Sequence, residues 1–392
     1  MNLILFDDPI IRLNLLPFSF TRPVGAIRVG ILTIAEKWEK WLGARASFKT
    51  EDYLKTKFPA HQTSDNLLIN GGICPDATLV ATIKALPEGY FLVKNSMLLA
   101  ARNPGAEMNS RNTIEYLSEL TVIDRTWKIF RENGAQLRID FKLITEGRTS
   151  RGIQDKHTKV YAEENIFVEE GVYLRAAVLN AENGPIYLGK NSIIQEGALI
   201  RGAFALLEDS HVNMGAKVRG YVTVGPCSKI GGEVSNSVIF GYSNKAHDGY
   251  LGNSVIGEWC NIGAATNTSN LKNNYDLIKL WSHSDQNFVE TGLQFCGLMM
   301  GDHSKCAINT MFNTATVVDV CSNVFGEGFP RNYVPSFSWG GSRGFVTNKL
   351  DKALETASRV MGRRNIVLPD VDKEILLHIF HMTAAGRVWE KS

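Results

Sequence analysis

The chain has 392 residues, 44% of them hydrophobic and 21% charged, and its 42 Lys and Arg against 40 Asp and Glu give a net charge of +2. This length predicts two or three domains with sizeable cores, and the balanced composition excludes disorder and gives no support to a polyanionic partner such as nucleic acid. Because no run of about 18 apolar residues occurs and Asp7 and Asp8 interrupt the apolar start, we expect no membrane span, no signal peptide and a cytoplasmic location.

Residues 1–125 alternate between predicted strands and predicted helices, which is typical of a small α/β domain. The strands are expected at Leu3–Phe6, Asn66–Asn70 and Tyr90–Val93, and the helices at Gly30–Trp41 and Ala77–Leu86. The sequence of residues 126–160 predicts a helix and a strand that lead into a connector containing Gly, Ser and Arg.

A six-residue repeat organises residues 161–340. Aliphatic residues recur at every sixth position: Leu188, Ile194, Ile200, Leu206, Val212, Val218, Val224 and Ile230. A helix would need a spacing of 3.6 residues, so this period excludes one. A unit of six residues forms one short strand and a corner, and three units close a triangular coil whose inward side chains stack on the previous coil. The repeat therefore predicts a parallel β-helix.

The repeat is interrupted once and is followed by a different pattern. It continues at every sixth residue as Tyr250, Ile256 and Ile262, and later as Met300, Cys306, Phe312, Val318 and Val324. Between these two stretches, at about 268–297, the repeat lapses, and we expect a loop or arm that projects from the coils. Residues 341–392 predict two amphipathic helices, one from Leu350 and one after Asp370, that form a cap or packing arm.

The run NKAHDGYLGNSVIGEWCNIGAATNTSN, residues 244–270, resembles the acetyltransferase half of the GlmU-like family of uridyltransferases and N-acetyltransferases. The family's run is KAGHLTYLG, then NIGAGT and an Asn, so its KAGH is KAH here. The resemblance covers about residues 160–330 and, faintly, the amino-terminal part. It implies an α+β multidomain chain: a truncated nucleotidyltransferase-like α/β domain, a left-handed parallel β-helix of hexapeptide repeats, and C-terminal helices.

The resemblance implies that His247 is the general base, which removes a proton from a sugar amine as the amine attacks the thioester of acetyl-CoA. An imidazole suits this step, because an ordinary pKa near 6.5 lets it accept a proton at neutral pH. A lone histidine is more often structural. Of the eight histidines, only His247 falls between repeat segments beside Asp248, Gly249 and Tyr250.

The resemblance assigns further roles around His247. It implies that Asn270 shapes the catalytic pocket, that Tyr250 and Asn261 contact the sugar, and that the backbones of Ala264 and Ala307 contact acetyl-CoA, the acyl donor. Arg219 matches a family arginine that holds the substrate phosphate, and Lys245 would add a second positive charge. The alternative for Arg219 and Lys245 is a solvated outward face. In this family three β-helices pack side by side with shared sites, which implies a homotrimer.

The amino-terminal domain departs from the nucleotidyltransferase pattern of a glycine-rich loop and a lysine that bind phosphates. Asp7 and Asp8 stand where glycines would present N–H donors, Val24 and Gly25 replace the lysine position, and Gly72 matches the family's metal-binding Asp, so only Arg12 and Arg22 remain. We therefore expect this domain to keep the fold without ordinary uridyl transfer, and Mg²⁺ to be needed only if nucleotidyl transfer survives.

The leading prediction is an acyl-CoA-dependent N-acetyltransferase that acts on an amino sugar phosphate or a nucleotide amino sugar. The first alternative is a sugar-1-phosphate nucleotidyltransferase whose β-helix serves as an oligomerisation scaffold. The second is a non-catalytic module that binds a sugar nucleotide. Six dispersed cysteines without a CxxC pair, and the absence of a His-x4-His pair, predict no disulfide framework and no metal site.

Overall fold

The computed structural model describes residues 2–105 and 107–391, and these fall into two compact units. The first unit comprises most of residues 1–125. The second comprises residues 126–392 together with the short segments Leu16–Phe18 and Val29–Ile31. The longest segments of the two units meet between Arg125 and Thr126.

The first unit is built around a six-stranded mixed sheet with helices, as the alternating pattern predicts. In sheet order its strands are Ala46–Lys49, Asn2–Phe6, Asn66–Asn70, Met97–Arg102, Phe91–Lys94 and Thr113–Glu115; a separate antiparallel pair joins Ile73–Cys74 to Thr121–Val122. The strand Asn2–Phe6 pairs in parallel with both of its neighbours in the sheet. Its helices are α1 (Pro9–Asn14), α2 (Ile34–Leu42) and α3 (Ala77–Lys84).

Helix α2 begins four residues later than predicted because a capping box fixes its start. The Thr33 side chain accepts from the Glu36 N–H, and the Glu36 side chain accepts from the Thr33 N–H. These two bonds satisfy donors that a helix start leaves free. Gly43, in the left-handed region at φ 66°, ends the helix.

The second unit contains the predicted parallel β-helix, whose three faces we call A, B and C. Face A comprises Ile166–Val168, Ile186–Leu188, Phe204–Leu206, Val222–Val224, Val238–Gly241, Val255–Glu258, Met299–Met300, Val317–Val318 and Tyr333–Val334. Face B comprises Tyr173–Leu174, Ile193–Ile194, His211–Val212, Lys229–Ile230, Asn244–Lys245, Asn261–Ile262, Lys305–Cys306, Asn323–Val324, Ser338–Gly341 and Gly344–Thr347. Face C comprises Lys159–Tyr161, Val178–Asn180, Leu199–Arg201, Lys217–Val218, Glu233–Ser235, Tyr250–Gly252, Asn267–Thr268 and Met311–Phe312.

All eight aliphatic residues of the first repeat stretch are buried inside the coils, and they form one continuous cluster. Burying a side chain of this size contributes about 1.5–3 kcal/mol, so the stacked column is the main source of stability. The count of six then fails at more than one corner. The corner at Gly231–Gly232 places the inward residues Ile230 and Val234 only four residues apart. Because Leu251 and Ile256 are only five residues apart, Tyr250 is half-exposed and Leu251 is the interior residue.

The predicted projecting arm instead packs back on face A. It forms an antiparallel hairpin, Lys279–Ser282 with Asn287–Glu290. Trp281 stacks on Tyr333 at 4.2 Å between ring centroids, and His283 Nε2 lies 3.1 Å from the Asp319 carboxylate. Desolvation by burial raises the pKa of Tyr333, which donates to Asp319 at 3.0 Å.

Three long helices complete the second unit: α4 (Thr126–Thr145), α5 (Leu350–Gly362) and α6 (Asp370–Met382). Asn133 of α4 is tied to face A, since its side chain accepts from Thr223 and donates to the Tyr221 carbonyl. Short 3-10 helices lie at Val24–Ala26, Asp52–Leu54, Glu163–Asn165, Ala384–Gly386 and Val388–Lys391. Of the helices in the described part of the chain, none has the length and apolarity to cross a bilayer.

Candidate functional site

The outward side of face B carries a ladder of polar side chains. In successive parallel strands the register aligns His211, Lys229, Asn244, Asn261, Lys305 and Asn323. Each stands directly before an inward residue, so the pleat turns it outward. Neighbouring strands lie about 4.8 Å apart, which makes the ladder a regular row of hydrogen-bonding groups.

A cleft of about 680 Å³, which we call the face B cleft, opens over the first four residues of this ladder. Its other walls are the corner between faces B and C, the corner between faces A and B, and the turn that follows α5. It is lined by Asp209, His211, Cys227, Lys229, Tyr242, Asn244, Ala246, His247, Asn261, Ile262, Gly263, Ala264, Ile308, Arg363, Arg364 and Ile366.

An aromatic pair at the corner between faces A and B holds α5 in place. Tyr242 and Trp259 stack at 4.3 Å, and Trp259 packs in one cluster with Ala357 and Met361 of α5. Arg364, just beyond α5, lies over the Trp259 ring at 5.8 Å. These contacts bring the turn after α5 to the mouth of the cleft.

The cleft is electropositive. Arg364 donates to the Cys227 carbonyl at 2.8 Å, and desolvation by burial lowers its pKa. Burial, and then the nearby Lys229 ammonium, lower the pKa of His211, so its neutral form is favoured. Arg363 and Lys229 are exposed, and the only acidic residue in the lining is Asp209. Phosphate groups are the ligands that such clustered cations favour.

His247 is an exposed residue of the corner between faces B and C, where it lines the cleft. The loop that carries His247 lies close to Gly231 of the preceding coil, where a side chain would not fit. A Cβ on Gly231 would lie 2.3 Å from the Ala246 carbonyl oxygen. A Cβ on Gly232 would lie 2.7 Å from the Gly249 oxygen. Two consecutive glycines are therefore required above the His247 loop.

Asn261 and Ala264 line the same cleft as His247. Asn261 is an exposed member of the face B ladder. The Ala264 carbonyl accepts from the Asn309 N–H at 2.8 Å, which leaves its N–H as the group it could offer a ligand. Ala307, one coil further on, is half-buried, and its carbonyl accepts from Thr310 at 2.8 Å.

Three further predicted residues, Asn270, Tyr250 and Arg219, lie on face C or directly after its strands. Asn270 donates to the Tyr250 hydroxyl at 2.9 Å and to the Asn253 side chain at 2.7 Å. Burial raises the pKa of Tyr250, which therefore stays a neutral phenol. Arg219 is exposed and pairs with Glu233 at 3.0 Å in an open groove of about 710 Å³ that also contains Arg201 and Lys217. An exposed pair of this kind is weak and can exchange for a phosphate.

Lys245 lies inside the coils and is 3% exposed. It stacks on Ile230 of the preceding coil, so the pattern that turns Asn244 outward turns Lys245 inward. Burial lowers the pKa of its ammonium group to about 8. The side chain therefore belongs to the interior and not to the wall of the cleft.

The predicted residues thus form two groups on two faces of the same coils. His247, Asn261 and Ala264 meet in the face B cleft, whereas Arg219, Tyr250 and Asn270 lie on face C. Sequence reasoning missed His211, Lys229, Arg363 and Arg364. The first two could have been found as the residues that precede inward aliphatics, but nothing local marks the two arginines.

In the first unit, the residues that stand in place of a phosphate-binding loop bind one another. The Asp7 side chain is buried, receives the Arg12 guanidinium at 2.8 Å and also accepts from the Val24 N–H at 2.8 Å. Arg12 donates further to the carbonyls of Ser19 and Arg22. Burial raises the pKa of Asp7, and Arg12 opposes this shift. The cation and the backbone donor that a phosphate would use are therefore satisfied within the protein.

Two neighbouring positions complete this arrangement. The Asp8 carboxylate caps α1 by accepting from the N–H groups of Ile10 and Ile11. Gly72, which matches the family's metal-binding Asp, has no side chain to offer and packs against Ile11. Position 72 therefore does not fit Mg²⁺ ligation, because glycine supplies no carboxylate there, and the nearby carboxylates of Asp7 and Asp8 are bound to Arg12 and to the start of α1.

Comparison with known proteins shows what parts of the chain are similar to. Residues 3–149 match the model of the family described as sugar nucleotidyl transferase. In this chain, the segment that is similar to this family is followed by a β-helix of hexapeptide repeats. The predicted GlmU-like resemblance is confirmed by two curated proteins.

Both are bifunctional GlmU proteins. The one from Rippkaea orientalis is 37% identical over 75 residues, 17% of this chain and 17% of its own length. The one from Methanococcus aeolicus is 28% identical over 120 residues, 31% of this chain and 25% of its own length. The chain therefore spans a quarter or less of the curated relatives it matches. Among solved structures, Arabidopsis UDP-N-acetylglucosamine acyltransferase is 15% identical, with 54% of this chain and 77% of that chain covered, but its TM-score of 0.22 is too low to bear on function.

Proposed function

We propose that the β-helix catalyses transfer of an acetyl group from acetyl-CoA to the amine of an amino sugar phosphate or a nucleotide amino sugar. The observation that carries this proposal is the face B cleft, where an exposed imidazole lies beside clustered cations. The similarity to bifunctional GlmU proteins supports the same chemistry, although it covers only part of their length.

The cleft suits a donor that carries phosphates. Lys229, Arg363 and Arg364 would pair with the phosphates of acetyl-CoA, and the Ala264 N–H would hold its amide-containing arm. Charged hydrogen bonds of this type are about twice as strong as neutral ones. The thioester would then lie along the ladder toward His247.

His247 would remove the proton from the amine as nitrogen attacks the thioester carbon. The new C–N bond forms, the C–S bond breaks, and coenzyme A leaves as the thiol after it accepts a proton. Holding amine and thioester in contact supplies most of the acceleration, and the base adds about 10²- to 10⁴-fold. The reaction needs no covalent intermediate on the protein.

The acceptor would be held by residues of face C. Arg219 would bind its phosphate, and Tyr250 and Asn270 would contact the sugar ring. Because these side chains and His247 lie on different faces, a complete site needs face C of one copy beside face B of another. We therefore propose a homotrimer with sites between subunits, as closed cyclic symmetry allows.

The test measures thiol release from acetyl-CoA with glucosamine-1-phosphate and with UDP- and dTDP-linked amino sugars. The wild type should turn over with at least one acceptor, and His247→Ala should lose about 10²- to 10⁴-fold in rate. His157→Ala, at an exposed histidine outside the cleft, is the matched control and should retain full activity. A fully active His247→Ala would refute the proposal.

Nucleotidyl transfer by the first unit is the second candidate, and the match of residues 3–149 to the sugar nucleotidyl transferase family favours it. The internal pairing of Asp7 with Arg12 argues against it. Pyrophosphate release from UTP, Mg²⁺ and N-acetylglucosamine-1-phosphate at enzymatic rates would establish this activity. His247→Ala should leave it intact. Binding of acetyl-CoA without turnover on any acceptor would indicate a non-catalytic module instead.

A further inference from the structure

The corner that carries His247 differs from other corners between faces B and C. At three of them the backbone closes its own turn: Ala198 N–H donates to Gln195, Ala216 to Asn213, and Thr266 to Gly263. At the His247 corner, side chains donate to the carbonyls instead. Asn213 donates to the Ala246 carbonyl at 2.8 Å, across the shortened Gly231–Gly232 coil.

Lys245 supplies the other two bonds. Its ammonium group donates to the Gly231 carbonyl at 3.1 Å and to the His247 carbonyl. One side chain thus joins the shortened coil to the residue whose imidazole lines the cleft. The Gly231 carbonyl is buried and needs such a partner, and a cation forms the stronger bond.

This arrangement is costly for the core. Lys245 occupies an interior position between Ile230 and Ile262, where other coils bury apolar residues. Transfer of an ammonium group from water into such surroundings is unfavourable, and an apolar residue of similar volume often restores stability. A lysine here therefore needs a reason other than the stability of the coils.

We infer that Lys245 is a positioning residue, which fixes the His247 corner from inside the β-helix so that the imidazole faces the reacting amine. This role rests on the proposed acetyl transfer. Lys245 touches neither substrate, and it acts through the carbonyl oxygens of Gly231 and His247.

The test is Lys245→Met, which keeps an unbranched side chain of similar length but removes the donors. Its midpoint of thermal unfolding at pH 7 should rise or stay the same, whereas kcat should fall about 10- to 100-fold because the base is misplaced. KM for acetyl-CoA should not change. Lys245→Gln, which keeps amide donors, should recover part of kcat. Ile230→Met is the matched control at the neighbouring interior position and should keep kcat.

Amide hydrogen exchange gives a second readout that does not depend on activity. The Ala265 N–H donates to the Asp248 carbonyl at 3.0 Å, and the Glu233 N–H donates to the Gly249 carbonyl at 3.1 Å. In Lys245→Met both amides should exchange about 10-fold faster, as expected for a lost hydrogen bond. If the wild type shows no turnover, the proposed function fails. The exchange rates of the Ala265 and Glu233 amides then test by themselves whether Lys245 fixes the His247 corner. Unchanged exchange and kcat, or a β-helix that unfolds in Lys245→Met, would overturn the inference.

Discussion

Cationic side chains have opposite surroundings in the two units. In the first unit, Arg12 is buried and binds Asp7 and two backbone carbonyls. In the face B cleft, Arg363 and Lys229 are exposed, and a single carboxylate lines the same cleft. Both regions have residues that suit phosphate, but only the cleft leaves cations available to a ligand.

The difference teaches that residues suited to phosphate form an anion site only where their hydrogen-bonding groups and charges are not already paired within the protein. Asp7 and Asp8 take the N–H groups and the guanidinium that would otherwise bind phosphate, so they convert a possible binding loop into a structural one. In the cleft, the exposed cations repel one another and gain from a bound anion. This is why we propose acetyl transfer by the β-helix as the leading function and nucleotidyl transfer by the first unit as the second candidate.

The largest expected effect comes from mixing two inactive variants. His247→Ala on face B and Arg219→Ala on face C should each lose most acetyl transfer. If sites lie between copies, co-expressed chains should regain about a quarter of wild-type activity, because some sites then combine two intact faces. Thiol release from the mixed oligomer measures this. If activity does not recover, each site lies within one chain, and the proposal that face B of one copy combines with face C of another is wrong.

The buried pair of the first unit should be important for stability alone. Asp7→Asn should lower the free energy of unfolding of this unit by up to about 3–5 kcal/mol, since it leaves the buried Arg12 with only the exposed Glu51 carboxylate, 3.7 Å away, as a counter-ion. Denaturant unfolding measures the loss. Asp8→Asn is the control, because asparagine caps a helix as well as aspartate does. Acetyl transfer should not change in either variant.

The buried Lys245 predicts a pH dependence of stability. Its folded pKa of about 8 lies below the unfolded value of 10.5, so the unfolded chain binds more protons between these two values. The free energy of unfolding should therefore rise with pH across this window, by up to about 3 kcal/mol. Denaturation of wild type and Lys245→Met from pH 7.5 to 10 isolates this contribution, which the variant should lack. Parallel curves would contradict the burial of a charged lysine.

A smaller effect is expected at the mouth of the cleft. Arg363→Ala should raise KM for acetyl-CoA several-fold with little change in kcat, because an exposed charge pair contributes about 1 kcal/mol or less. Added salt should narrow the difference between the variant and the wild type. Arg359→Ala, one turn earlier on α5 and paired with Glu355, is the control and should leave KM unchanged.

The sequence predicted the β-helix well because its signal is local. Each interior residue is set by the strand that carries it, so eight successive aliphatics sufficed to locate the column. The count then went wrong at Tyr250, since the inward residues Leu251 and Ile256 are five residues apart instead of six, and only the pairing of the coils reveals this shorter step. The GlmU-like motif identified His247, Asn261 and Ala264, which lie together.

The sequence by itself determined the order of domains, the three-sided coil and the candidate base, because short-range periodicity and a contiguous motif carry that information. Only the tertiary structure decided that Lys245 points inward, that the inserted hairpin packs against the end of face A at Tyr333, and that the turn after α5 brings Arg363 and Arg364 to the cleft. These outcomes depend on contacts between residues far apart in the chain. Coil lengths and helix docking fix such contacts, and no local pattern records them.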